Sequence, residues 1–194
     1  HGMTVAEYAQ MLNGEKLLSN KKVCDLKVIK CRNYTHNTLY HLPIPPSPNL
    51  KSDAAILLYP SLCLFEGTDV SVGRGTSTPF EIWGHPSFKD NGFSFTPKSV
   101  DGAKNPPHEN KLCYGANLHL PPADILKILN KRLNVTFLKN AYSLAKDKTT
   151  FFNSFFEKLA GNNILRNQII KDVSAVNIQK SWQAGITNFK KIRK

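Results

Sequence analysis

The sequence predicts an α+β fold: a small mixed sheet with packed helices, giving way to a mainly helical C-terminal part. Short apolar runs bounded by Gly, Pro and Asn dominate residues 1–120, and apolar positions at helical spacing take over from Pro121. A chain of 194 residues is long enough for one large core or two small ones. Its composition, 41% hydrophobic and 21% charged, is that of an ordinary globular protein.

Taken in order, Thr4 and Glu7 have capping-box spacing and predict a helix to about Leu18, with Val5, Tyr8, Met11 and Leu12 on one face. Val23–Ile29 roughly alternates and reads as a strand. Leu42–Asn49 holds four prolines in eight residues, so it reads as a rigid extended segment. Asp53–Phe65 is too densely apolar for a surface element and reads as a buried helix interrupted near Pro60. Thr78–Trp83 and Lys111–Leu120 read as strands, with Phe88–Glu109 a long exposed excursion between them. Ala123–Leu133, Phe151–Leu159 and Asn163–Ile170 follow as helices, the last two separated by Gly161. Ser174 caps a last helix whose stripe of Ile178, Trp182, Ile186 and Phe189 reads as core packing. Repeats and low-complexity tracts are absent from the sequence.

The net charge of +12 is uneven. Residues 1–120 carry 12 Lys+Arg against 10 Asp+Glu, and residues 121–194 carry 14 against 4. The basic excess reads either as a solvated helix face or as attraction to a polyanion. A nucleic-acid binder would usually add a recognisable reading module; none is present, so nucleic acid is not an expected partner. No apolar run approaches the roughly 20 residues of a membrane-spanning helix. His1 with no charged-then-apolar leader after it is expected of a processed or excised piece. Cys24, Cys63 and Cys113 have apolar neighbours and read as buried thiols, while Cys31 sits between Lys30 and Arg32, which would favour its thiolate if exposed. Free thiols are the default reading, and the spacing also allows one disulfide. The cysteines have no zinc-knuckle or redox-pair spacing and the histidines no metalloprotease spacing, so neither metal nor cofactor is expected.

The stretch most suited to chemistry is Glu66–Pro86, EGTDVSVGRGTSTPFEIWGHP. Arg74 stands between Gly73 and Gly75, where glycine freedom lets a planar guanidinium fork be presented to an anion. Glu66 and Glu81 flank the loop and suit general acid/base work if the fold brings them together. His85 follows the predicted strand and can line a pocket. The alternative for the whole stretch is a tight turn beside a salt bridge. A single geometric expectation follows: Glu66, Arg74 and Glu81 look out together onto one sugar-sized hollow.

An ordered set of motifs then carries a family resemblance: His1-Gly-Met-Thr with Glu7, Pro46-Ser-Pro-Asn49, Tyr59-Pro, Cys63-Leu-Phe-Glu66-Gly-Thr, Gly73-Arg-Gly-Thr76, and Pro79-Phe-Glu81 with Gly84 and Pro86. Leu159-Ala-Gly161, Ile164-Leu-Arg166, Ser181-Trp182 and Phe189–Arg193 continue it. Together they resemble the second half of the bacterial exo-β-N-acetylmuramidase (NamZ-like) family. The resemblance implies a glycoside hydrolase that releases terminal N-acetylmuramic acid from non-reducing ends of peptidoglycan fragments, in wall recycling outside the cytoplasm. It implies that residues 1–194 are the C-terminal domain, with 1–120 the mixed α/β part and 121–194 the helical part. It implies too that a Rossmann-like N-terminal half is absent and would be a partner, the fragment alone being inactive. On this reading Arg74 binds the lactyl carboxylate, Glu66 and Glu81 are catalytic or orient substrate, Thr76 and Asn49 bond sugar hydroxyls or the acetamido group, and His1 reaches the cleft with His85. A non-catalytic wall-carbohydrate module and, third, a basic nucleic-acid-binding domain are the alternatives.

Overall fold

The structure, a computed structural model, describes residues 2–192. Helices α1 (Val5–Gly14), α2 (Asp53–Leu62), α3 (Pro122–Leu129), α4 (Thr136–Leu144), α5 (Phe156–Ala160), α6 (Ile164–Ile170), α7 (Ala175–Ser181) and α8 (Gln183–Ile192) accompany strands β1 (Ile82–His85), β2 (Ser94–Phe95) and β3 (Cys113–Asn117). The fold is α+β. The chain divides into two compact units, His1–Tyr40 with Gln179–Lys194, and His41–Ile178.

In the larger unit, Ser52 caps α2 by accepting from the Ala55 N–H at 3.0 Å, and Ala55, Leu58 and Leu62 are fully buried. The expected interruption comes two residues after Pro60: the helix runs to Leu62 and tightens into a 3₁₀ segment over Cys63–Gly67. A proline in the last turn costs a hydrogen bond near a helix end, where the chain is about to turn anyway.

The sheet has the order β1-β3-β2 and is antiparallel throughout, which corrects the expected mixed sheet. Gly84 and Gly115 face each other in register. A Cβ on Gly115 would land in the Trp83 carbonyl, and one on Gly84 would stand 2.6 Å from the Tyr114 carbonyl oxygen. The free edge of β1 is covered by Ser71, which exchanges two main-chain hydrogen bonds of 2.9 Å with Gly84. Behind the sheet, Trp83 stacks on Phe65 at 5.7 Å, and a second cluster joins Tyr142, Phe151, Phe152 and Phe156. Thr68 forms a bridge to Phe152, and the Asp69 N–H donates to the Phe151 carbonyl.

Several expectations are corrected. Val23–Ile29 is not a strand; it is largely exposed, and at Cys24 the main chain is bonded by the Asn13 side-chain amide instead. Alternation needs a partner edge, and among the described residues this segment has none. Thr78–Glu81 is a turn, with Phe80 at φ +61°, and the strand begins only at Ile82. The excursion after Phe88 buries Phe88, Pro97 and Ala103 and contributes β2. Phe151 and Phe152 precede α5, Phe152 in the bridge to Thr68, and α4 was not anticipated. The last helix is split at Trp182; Ile178 is buried and Ile186 is exposed. Cys24 is exposed, and the four thiols are free.

Glu81 is only 4% exposed. Ser52 Oγ donates to its Oε1 at 2.5 Å, and His119 Nδ1 bonds Oε2. Its main-chain carbonyl accepts from Leu118 N–H at 2.7 Å. One side chain thus ties the start of α2 to the exit of β3, and its negative charge lies near the positive end of the α2 dipole.

Two outcomes follow. Gly115→Ala should lower stability by about 1–3 kcal/mol, because the backbone of β1 must give way, whereas Gly14→Ala, which meets nothing within 4 Å, should be neutral or slightly stabilising; thermal melts of the two variants check this. Glu81→Ala should cost about 3 kcal/mol in denaturant unfolding, mostly from the stranded Ser52 hydroxyl, since His119 is 63% exposed and can turn to water. Glu81→Gln, which keeps an acceptor for Ser52, should cost less than half as much.

Candidate functional site

The loop carrying Arg74 is fixed by its own main chain. Gly73 and Gly75 adopt φ +74° and +84°, a left-handed region that side chains rarely enter. The Thr76 N–H and hydroxyl both donate to the Gly73 carbonyl, at 3.1 and 2.7 Å, and Thr76 Oγ1 accepts from Thr78 N–H. The Phe80 N–H closes onto the Val72 carbonyl at 2.8 Å, and Lys98 N–H onto Gly75 at 2.9 Å. Gly67, at the other end, lies so close on the Phe156 main chain that no Cβ fits.

From this frame Arg74 approaches Glu66, with Nη1 3.7 Å from Oε2. That distance is an ion pair beyond hydrogen-bond length, so the guanidinium fork is not consumed by Glu66. Its Nε is buried and has no hydrogen-bond partner among the described residues. The Arg74 and Glu66 side chains are 37% and 28% exposed, so both can meet a ligand. Burial raises the Glu66 carboxyl above its ordinary value, and the Arg74 charge opposes the rise. Burial, and then the Glu66 charge, push the Tyr59 phenol and the Cys63 thiol up as well. Tyr59 packs edge-on against Phe80 at 5.0 Å. Here, then, stand a cation with free donors, a carboxyl raised by burial, and a partly exposed aromatic ring.

Glu81 does not join them. Its two oxygens are held by Ser52 and His119 away from solvent, and it shares no partner with Glu66. The expectation of three groups around one hollow is therefore corrected: Glu66 and Arg74 form an ion pair, and Glu81 is a buried tether. Thr76 is committed to the loop, as above. Asn49 Nδ2 donates to the Gly102 carbonyl at 3.0 Å, fastening the proline-rich segment. His1 lies outside the described residues.

His85 lines a hollow of about 280 Å³ with Asp69, Ser87, Lys146, Asp147 and Thr150. Ser87 N–H donates to His85 Nδ1 at 3.0 Å, which leaves the proton on Nε2, 3.4 Å from Asp69 Oδ2. Burial, with the nearby His108 and Lys111 charges, lowers the imidazole to about 4, so it is neutral at pH 7. Burial raises the Asp69 carboxyl. His108 packs against His85, its ring 4.5 Å away and its Nε2 bonded to the Asp69 carbonyl. Among the described residues no three His, Cys, Asp or Glu side chains are placed to hold a metal ion. Sequence reasoning missed Ser52, Asp69, His108 and Asp147; only Ser52, directly before the apolar run of α2, carried a local signal.

The same architecture occurs in known proteins. A crystal structure of a DUF1343 family protein from Bacteroides fragilis superposes with a TM-score of 0.94 at 49% identity, covering 100% of this chain and 54% of that one. A second DUF1343 family protein of the same organism shares the fold alone, with a TM-score of 0.65 at 18% identity over 97% of this chain and 54% of that one. The peptidoglycan β-N-acetylmuramidase NamZ of Bacillus subtilis is 31% identical over 210 residues, a match that spans all of this chain and 49% of that protein. The chain thus spans about half the length of these relatives. The family model for the C-terminal domain of exo-β-N-acetylmuramidase NamZ matches residues 57–194, and that for the N-terminal domain matches residues 1–54. By these matches the chain belongs to the exo-β-N-acetylmuramidase NamZ family.

Proposed function

We propose that this chain is part of a glycoside hydrolase that releases N-acetylmuramic acid from the non-reducing ends of peptidoglycan fragments, and that Arg74 receives the lactyl carboxylate of that sugar. The observation that carries the reading is the Arg74–Glu66 pair: a guanidinium held by a rigid glycine-flanked loop, 3.7 Å from its carboxylate, with donors left over. A carboxylate ligand meets such a fork in a bidentate, charge-assisted geometry. Glu66, raised by burial, acts as proton donor or acceptor beside it. Tyr59 offers a partly exposed ring to a sugar face. In this reading Glu81 positions the loop through Ser52 and β3, Thr76 and Asn49 shape the rim that faces the sugar, and His85 offers a neutral imidazole in the hollow it lines with Asp69. The activity is that of the intact protein, whose remaining half is its partner. We place it outside the cytoplasm, scavenging wall fragments; the location of its polymer supports this.

Kinetics of the intact protein on a chromogenic N-acetylmuramic acid β-glycoside test the assignment. Arg74→Ala should raise KM about 10–100-fold, the equivalent of one charged hydrogen-bonded contact, and leave a glycoside without the lactyl group unaffected. Unchanged release of muramic acid would remove the carboxylate-binding role. Glu66→Gln should lower kcat about 100-fold or more with little change in KM.

The His85 environment gives a separate pH signature. Its folded value of about 4 lies below the ordinary 6.5, so the unfolded chain takes up the proton first as pH falls. Stability from this group is full above pH 6.5 and is lost as pH drops toward 4. Denaturant midpoints across that window should decline less steeply in His85→Gln than in the parent.

A further inference from the structure

The hollow that His85 lines also holds a hydroxyl and an acid on either side of the imidazole, a grouping that muramic acid binding leaves unused. Ser87 Oγ lies 2.8 Å from His85 Nδ1, and Asp69 Oδ2 lies 3.4 Å from Nε2. The main chain fixes the direction of these bonds. Nδ1 accepts from the Ser87 N–H at 3.0 Å, so it carries no proton and the Ser87 hydroxyl can only donate to it. Nε2 then keeps its proton and turns it toward the Asp69 carboxylate.

Each member is held by the fold. His85 ends β1 in register with Tyr114, and Pro86 stiffens the backbone between the imidazole and the hydroxyl. The imidazole meets Phe88 at 5.4 Å and His108 at 4.5 Å. His108 Nε2 donates to the Asp69 carbonyl, so one side chain braces both the base and the residue that orients it. Phe88, 5% exposed, and Ala145 give the hollow an apolar wall. Lys146 brings a cation to the same lining, while Asp147 accepts from both the N–H and the hydroxyl of Thr149. A nucleophile within reach of a base that a third group orients is the arrangement of nucleophilic catalysis. In unliganded sites such bonds are often long and tighten when substrate binds, and the 3.4 Å separation leaves room for that.

We propose that Ser87, His85 and Asp69 form a second hydrolytic centre, which cleaves small carboxylic esters without using the Arg74–Glu66 pair. Ser87 Oγ attacks the ester carbonyl carbon and passes its proton to His85 Nδ1, while the carbonyl π pair moves onto oxygen. Lys146 faces that oxyanion charge. Collapse breaks the bond to the alcohol, which leaves with the proton from Nδ1. Water then attacks the acyl-serine and gives a proton to Nδ1, and the carboxylic acid departs as Oγ regains it. Asp69 stays ionised throughout and steadies the imidazolium. A hollow of about 280 Å³ admits a short acyl group rather than a polymer. The imidazole, lowered by burial to about 4, is unprotonated at pH 7 but a weak base, which suits esters better than amides.

The intact protein and 4-nitrophenyl acetate provide the test. Ser87→Ala should lower kcat/KM for this ester about 100-fold or more at an unchanged melting temperature. Asp69→Asn, a change in a positioning residue, should lower kcat about tenfold or more with KM little altered. A fluorophosphonate, from which an activated serine displaces fluoride, should attach to Ser87 in the parent and fail to attach in His85→Gln, as read by peptide mass mapping. The adduct is read on the parent protein, so it does not depend on any variant folding. Ester turnover by the parent no faster than by Ser87→Ala would overturn the proposal. So would a parent protein in which the fluorophosphonate leaves Ser87 unmodified.

Discussion

Main chain pressed against main chain is the constraint on which the rest of the larger unit depends. Gly67 lies on the backbone of Phe156, Gly84 and Gly115 pass within one carbonyl of each other, and Gly75 is pinned by Lys98. At each point a Cβ would have to displace backbone, which cannot rotate away as a side chain can. The segment after Glu66 is therefore threaded between the sheet and the aromatic cluster of Phe151, Phe152 and Phe156 with very little freedom. The Arg74 side chain, 37% exposed, extends from it toward solvent. Fixing the loop before a ligand arrives spares binding the cost of ordering it.

The two glutamates show how environment assigns different work to one chemistry. Glu81 is enclosed and given two partners, so its charge is spent on holding α2 to β3. Glu66 is half-buried, raised by that burial, and given a cation at a distance that balances its charge without satisfying it. Buried charge is costly unless paired and hydrogen-bonded. Glu81 meets that condition within the fold; Glu66 meets it only in part.

How much of this was legible in the sequence follows the range of each interaction. Thr4 and Glu7 form the capping box their spacing announced, and Gly161 ends α5 at φ +80°, because both are local. β3 fell inside its expected span and Asp53–Leu62 is the buried helix that its apolar density implied. The Glu66–Arg74 ion pair matches the alternative reading of that stretch, a tight turn beside a salt bridge, which rests on residues close in sequence. The fate of Glu81 was not legible: its partners lie 29 and 38 residues away, and nothing near Glu81 names them. Val23–Ile29 failed for the opposite reason, since its alternation was read without an edge to pair with. α4 was missed because it buries only Leu138 and Ala141 and has no side-chain cap to mark its start.

The thiol beside the candidate site has a consequence of its own. Cys63 is shielded, and the negative neighbour at Glu66 discourages its ionisation further. Sulfur reacts with oxidants and electrophiles as the anion, so a thiol kept protonated is chemically quiet. The thiol nearest Arg74 is in this way slower toward peroxide and disulfide exchange than an exposed cysteine would be.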